Sequence, residues 1–203
     1  MRRNRPCSGP RPRCLPQRGA AVLLLFCALL LAGATSTARG VDGEDLERQV
    51  RVGFIYNFLK FTEWPEPGGG DTAREYVVVV YADPGFGEAV EERLKGKSAR
   101  GRPVRVRRIA GIEDLRRSED AVHLLFLGSE ADLGAALEAL RGRPVLTVAQ
   151  RAEFCQRGGM INLVKEGERL RFEINPSAAQ RTGLRLSSKL LSLARALYPE
   201  QVP

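Results

Sequence analysis

His123 is the only histidine in the sequence, and Cys155 is the only cysteine beyond residue 34, the others being Cys7, Cys14 and Cys27. Neither residue type does chemistry alone: a thiolate needs a base beside it, and zinc needs a set of ligands drawn chiefly from Cys and His. With His123 inside the apolar run Val122 to Leu127, the pair reads as a packed imidazole and a buried thiol. The paired carboxylates Glu91 with Glu92 and Glu113 with Asp114 fall at polar helix positions, as solvated faces do. Gly96, Lys97 and Ser98 resemble the end of a phosphate-binding loop, but position 91, where that motif requires glycine, is Glu91. Gly85 and Gly87 stand between a strand and a helix, yet Val90 occupies the third glycine position of a dinucleotide fingerprint. No H-E-x-x-H, G-x-S-x-G or C-x-x-C occurs. The sequence therefore offers no catalytic set, no cofactor motif and no metal site, and the expectation is a protein that is not an enzyme.

Two other segments stand out. Phe54, Tyr56, Phe58, Phe61 and Trp64 concentrate aromatic surface in one short stretch, which fits either a core or a partner or dimer surface. Gly158, Gly159, Asn162, Glu173 and Asn175 place paired glycines and polar groups around strand ends, which fits either a tight turn or a ligand pocket.

The elements that position these residues follow from length and patterning. A chain of 203 residues, 43% apolar and 28% charged, has the balance of one globular domain with a proper core. Residues 1–34 carry six arginines and no acid, and the run from Ala20 to Leu31 ends at Ala32, Gly33 and Ala34. A charged start, a short apolar stretch and an A-x-A site make a secretory signal peptide, too short to span a bilayer. Those arginines account for six of the +8 formal charge, so the remainder, +2, gives no footprint for nucleic acid. Export leaves Cys155 without an intramolecular disulfide partner.

Residues 35–45 are expected to be a flexible lead-in and 46–203 the folded domain. Leu46, Val50, Phe54, Phe58 and Phe61 recur at steps of four and three, the spacing of one helix face. Glu63 to Pro67 end that helix before a loop at Gly68 to Gly70. Tyr76 to Tyr81 is a β-branched run suited to a central strand covered on both faces. A helix over Glu88 to Lys95, a strand from Val104 to Ile109, a short helix at Ile112 to Arg116, a strand at Val122 to Leu127, a helix from Gly128 to Arg141 and a strand at Pro144 to Val148 follow. Met160 to Val164 and Leu170 to Ile174 form a hairpin, Asn175 to Ser177 open a short helix, and Leu190, Leu193 and Leu197 are expected on one face of a last helix that closes the core. The alternation predicts a single three-layer α/β domain: a mainly parallel sheet, flanking helices and a C-terminal antiparallel hairpin.

Four of these segments, taken in order, resemble the YfiR family of small exported proteins. They are Tyr56 to Pro65, Gly158 to Asn162, Arg171 to Asn175, and Gly183 to Ala194, and the resemblance runs from about Val50 to Leu197. It implies a periplasmic α/β protein, often a homodimer, without enzyme activity. It also implies a partner: the family's namesake binds the periplasmic part of an inner-membrane diguanylate cyclase, represses it and lowers cyclic di-GMP. Family members can carry several cysteines where this domain keeps Cys155, so disulfide control is not carried over. The competing expectations are a periplasmic small-ligand sensor, an accessory module for another membrane sensor such as a histidine kinase, and a hydrolase using Cys155 with His123.

Overall fold

The computed structural model describes residues 38–65, 75–81, 83–117 and 121–198. The expected signal peptide at 1–34 and the loop at Gly68 to Gly70 lie outside them. Among the described residues, no helix is long and apolar enough to cross a membrane.

Helix α1, Ala38–Phe61, starts earlier than its apolar spacing suggests, so the expected lead-in is helical from residue 38. Its packed face also starts later: Val52, Ile55, Phe58 and Leu59 are buried, whereas Leu46 and Val50 are exposed. The first apolar residues of the stripe thus lie outside the core they were expected to join. The chain then passes through β1, Thr62–Glu63, to β2, Tyr76–Tyr81, which is buried along its whole length. Period-two alternation divides β2 between two cores. Tyr76, Val78 and Val80 face one apolar cluster, and Val77, Val79 and Tyr81 face the other.

Pro84–Leu94 forms α2, whose start is fixed by Pro84 in the first turn and by Asp83, which accepts from the Phe86 N–H at 3.1 Å. After β3, Ser98–Ala99, come β4, Arg102–Ile109, and α3, Ile112–Arg116. The next turn of the chain makes β5, Leu124–Leu127, α4, Leu133–Ala139, and β6, Leu146–Ala149. Here α4 opens at Asp132, which caps the Ala135 N–H, instead of at Gly128; a carboxylate acceptor is a better helix start than glycine. The hairpin is β7, Ile161–Glu166, with β8, Arg169–Ile174.

With a last strand β10, Ala196–Leu197, the eight strands of the sheet run β10-β8-β7-β6-β5-β2-β4-β3. From β4 through β2, β5 and β6 to β7 every pairing is parallel, while β8 returns antiparallel to β7. One face of the sheet is covered by α1 and α2, the other by α3 and α4, which gives the three layers.

Past β8 the chain forms α5, Pro176–Arg181, then β9, Arg185–Leu186, which pairs antiparallel with β1 and ties the carboxyl-terminal segment to the end of α1. The last helix, α6, is only Ser188–Leu193. Leu190 is buried, but Leu193 and Leu197 are 54% and 49% exposed, and Leu197 belongs to β10, Ala196–Leu197. The expected single apolar face is therefore absent. At Ala194 the backbone turns extended, and the Arg195 N–H donates to the Phe172 carbonyl at 2.8 Å. Pairing with the open edge of β8 takes precedence over another helical turn.

Candidate functional site

Three places on this fold carry polar or aromatic groups at close quarters. The first is the carboxyl-terminal half of α1. Phe58 is fully buried, and its ring meets Phe54 at 5.8 Å and Phe172 at 5.4 Å. It is a core residue, and its place on an expected partner surface is withdrawn, because a side chain with no exposed area cannot touch a partner. Phe54, Tyr56, Phe61 and Trp64 are half-buried against the same core. The Tyr56 hydroxyl donates to the Ser98 carbonyl at 2.7 Å, and Lys189 lies over the Phe61 ring.

Trp64 belongs to an aromatic knot with Tyr76 and His123, the rings 5.0 to 5.6 Å apart. The His123 Nδ1 accepts from the Val77 N–H at 3.1 Å. Burial, with the positive charge of Arg102 adding to it, lowers the imidazole to about 4, so it is neutral. The Cys155 thiol is pushed the other way, up to about 12, by burial and by the Glu173 carboxylate. His123 precedes β5 and Cys155 follows β6, its parallel neighbour, so the two stand at opposite ends of the sheet. They form no nucleophile and base pair.

The second place is the loop from β6 to β7. Gly158 has φ +95, a region that disfavours side chains, and a Cβ on Gly159 would stand 2.3 Å from the Phe154 ring. The Met160 N–H donates to Thr147 Oγ1, and the Arg151 N–H donates to Asn162 Oδ1, at 3.0 and 3.1 Å. Asn175 works twice: Nδ2 donates to the Cys155 carbonyl at 2.8 Å, while Oδ1 accepts from the Ala178 N–H at 2.9 Å and caps α5. Glu173 lies 3.4 Å from Arg195. Asn162 Oδ1 and both polar side-chain atoms of Asn175 thus fix this loop and the start of α5.

The third place is one the residue types did not mark. A cleft of about 280 Å³ is lined by Glu47 and Arg51 of α1, Asp83, Phe126, Leu127, Gly128, Ser129 and Gln150. None of Gly158, Gly159, Asn162, Glu173 or Asn175 lines it. Glu47 accepts from Gln150 Nε2 at 3.1 Å and from Lys165 Nζ at 2.9 Å, and these bonds hold its carboxyl below the usual range. Its sequence signals were the residues just after strands, Asp83 and Gly128 with Ser129. Gln150 and Glu47, 103 residues apart, gave none. A second, shallower depression of about 730 Å³ lies between α2 and β4, lined by Glu75, Glu88, Glu91 and Glu92 among others.

Comparison with known proteins places this geometry. The profile of the family described as YfiR/HmsC-like matches residues 48–195, from α1 through α6. The chain belongs to the YfiR/HmsC-like family. The match takes in the aromatic segment, the 158–175 motifs and the β1–β9 tie together. YfiR/HmsC-like proteins are in general regulatory and non-catalytic, typically periplasmic, connected with cyclic di-GMP signalling, and known to bind a membrane partner.

Solved structures share the α/β fold at low identity. A conserved domain protein from Vibrio cholerae O1 biovar El Tor is 13% identical, with a TM-score of 0.50 over 74% of this chain and 60% of that one. An ABC domain from Streptococcus pneumoniae, in complex with L-Trp, is 10% identical, with a TM-score of 0.50 and the same coverage. The YfiR/HmsC-like chain thus spans about 60% of the length of either structure.

Proposed function

We propose that this chain is a non-enzymatic periplasmic regulator, exported by the segment at 1–34, that binds the periplasmic part of an inner-membrane diguanylate cyclase and holds it in its off state. The observation that carries this reading is the YfiR/HmsC-like match across residues 48–195. A regulator of this kind acts by differential affinity: it lowers cyclic di-GMP to the extent that it binds the inactive cyclase more tightly than the active one. The partner or dimer surface is assigned to α1 and its end. Phe54, Tyr56, Phe61 and Trp64 supply half-buried aromatic edges, and Val50, Gly53, Asn57 and Lys60 are exposed beside them. A homodimer is part of the proposal.

The test is capture from crosslinked cell envelopes with the tagged protein, alongside cyclic di-GMP measured with and without the gene. Asn57→Arg is the informative variant, since Asn57 is exposed and its replacement leaves the core intact. Capture of a membrane cyclase, lost in Asn57→Arg, together with higher cyclic di-GMP in the deletion strain, supports the reading. Capture of a histidine kinase with unchanged cyclic di-GMP reassigns the pathway and overturns the cyclase assignment.

A further inference from the structure

The parallel strands run β4-β2-β5-β6-β7, so the chain leaves β2 first toward β4 and then crosses back to β5 on its other side. Connections that depart to opposite sides open a crevice at the carboxyl ends of the two strands between them, and there open α/β sheets take their ligands. The 280 Å³ cleft occupies that place. Asp83 follows β2, Gly128 and Ser129 follow β5, and Gln150 follows β6, while α1 closes the cleft with Glu47 and Arg51.

Its charges are unequally provided for. Glu47 is held by Gln150 and Lys165. Arg51 is not: its guanidinium lies 4.6 Å from the centre of the Phe86 ring, its Nε is buried without a hydrogen-bond partner, and it makes no ion pair among the described residues. It feels the Glu47 carboxylate through space, but Gln150 and Lys165 take that group's hydrogen bonds, so the guanidinium keeps bonding capacity that an arriving anion can fill. Asp83 spends Oδ1 on the Phe86 N–H, and its other oxygen has no hydrogen-bond partner among the described residues. That oxygen is open to a ligand's donor. With Glu47 and Asp83 on the same walls, one unpaired guanidinium favours a single negative charge over two. The volume, just under the usual range of ligand pockets, sets the size at a small metabolite.

We infer that the cleft at the carboxyl ends of β2, β5 and β6 binds a small monocarboxylate bearing a hydroxyl or ammonium donor, with its carboxylate on Arg51 and its donor on Asp83. The inference does not rest on the identity of any membrane partner.

Calorimetric titration of the purified protein with L-lactate, L-alanine, propionate and inorganic phosphate tests it. Saturable binding of lactate or alanine is expected, whichever donor Asp83 prefers, with propionate weaker and phosphate inert. Arg51→Gln weakens that binding by about tenfold or more, the effect of losing a charge-assisted carboxylate contact. Arg141→Gln, an exposed change past α4 on the opposite layer, leaves it unchanged. Asp83→Asn preserves the cap of α2, since Asn caps as well as Asp, and brings the donor-bearing ligand down to the affinity of propionate. Thermal melts of each variant separate loss of binding from loss of fold. Absence of heat with any carboxylate at millimolar concentration, phosphate binding tighter than the carboxylates, or undiminished binding in folded Arg51→Gln and Asp83→Asn overturns the assignment.

Discussion

Trp64 donates its indole N–H to the carbonyl of His123, 59 residues away in sequence, at 3.1 Å, and the two rings meet edge to face at 5.6 Å. The bond fastens the exit of α1 to the entry of β5, with Tyr76 of β2 packed against both rings. Removing the ring and removing only the bond therefore have different effects. Trp64→Ala is expected to destabilise the fold by about 2–4 kcal/mol, the large-to-small range reduced for a half-buried site, and Trp64→Phe by about 1 kcal/mol. Urea unfolding midpoints at constant m-value distinguish them.

His123 sets a pH dependence. Its folded value is about 4 against 6.5 unfolded, so between those values the unfolded chain binds the proton and the folded chain does not. The stability contributed by the neutral imidazole is complete above pH 6.5 and is lost as pH falls toward 4. The loss amounts to about 3 kcal/mol at most. His123→Asn, which keeps an acceptor near the Val77 N–H, should flatten that part of the curve. The check is the difference between the two stability profiles from pH 7 to pH 4; a wild-type excess that does not shrink on acidification contradicts it.

Cys155 is expected to be inert. A thiol pushed up to about 12 by burial is protonated at neutral pH, and its S–H faces the carbonyls of Met160 and Glu173. Alkylation of the native protein at pH 8 should proceed no faster than unfolding and become rapid in denaturant. Fast labelling without unfolding would count against the buried assignment.

Gly159 is expected to tolerate nothing larger. A methyl group there would fall within 2.5 Å of three Phe154 ring atoms, so Gly159→Ala should cost about 1–3 kcal/mol. Adding Phe154→Ala relieves the collision, and the double variant should be more stable than the sum of the single losses predicts. Additive losses would show that the ring moves aside freely.

Much of this architecture is legible in the sequence because its signals are local. The run Val77 to Val80 has no polar face, so it reads as a central strand, and it is buried on both sides. The motif residues Gly158 to Asn162 and Arg171 to Asn175 point to the YfiR/HmsC-like family without any geometry. Their roles are a different matter. An asparagine has the same donors and acceptor whether they serve a ligand or a helix start, and only the fold reveals that Asn175 caps α5. Leu197 keeps helical spacing from Leu190 and Leu193 but joins a strand, because the free edge of β8 is invisible to a periodicity count. The cleft is hidden for the same reason: Glu47 meets Gln150 only after the sheet has assembled around β2.

Both margins of the sheet end in strands of two residues, β3 on one side and β10 on the other. Each offers a ladder too brief to template a further strand, which is how a sheet resists growing into a fibril. Each covers only the end of the strand inside it, β3 at Arg102 and Pro103 and β10 at Glu173 and Ile174, so the rest of β4, from Arg105 to Ile109, is guarded by charge instead, with Arg105, Arg107 and Arg108 along it. Short ends and a charged margin together keep a sheet rich in valine and leucine from recruiting the edges of its neighbours.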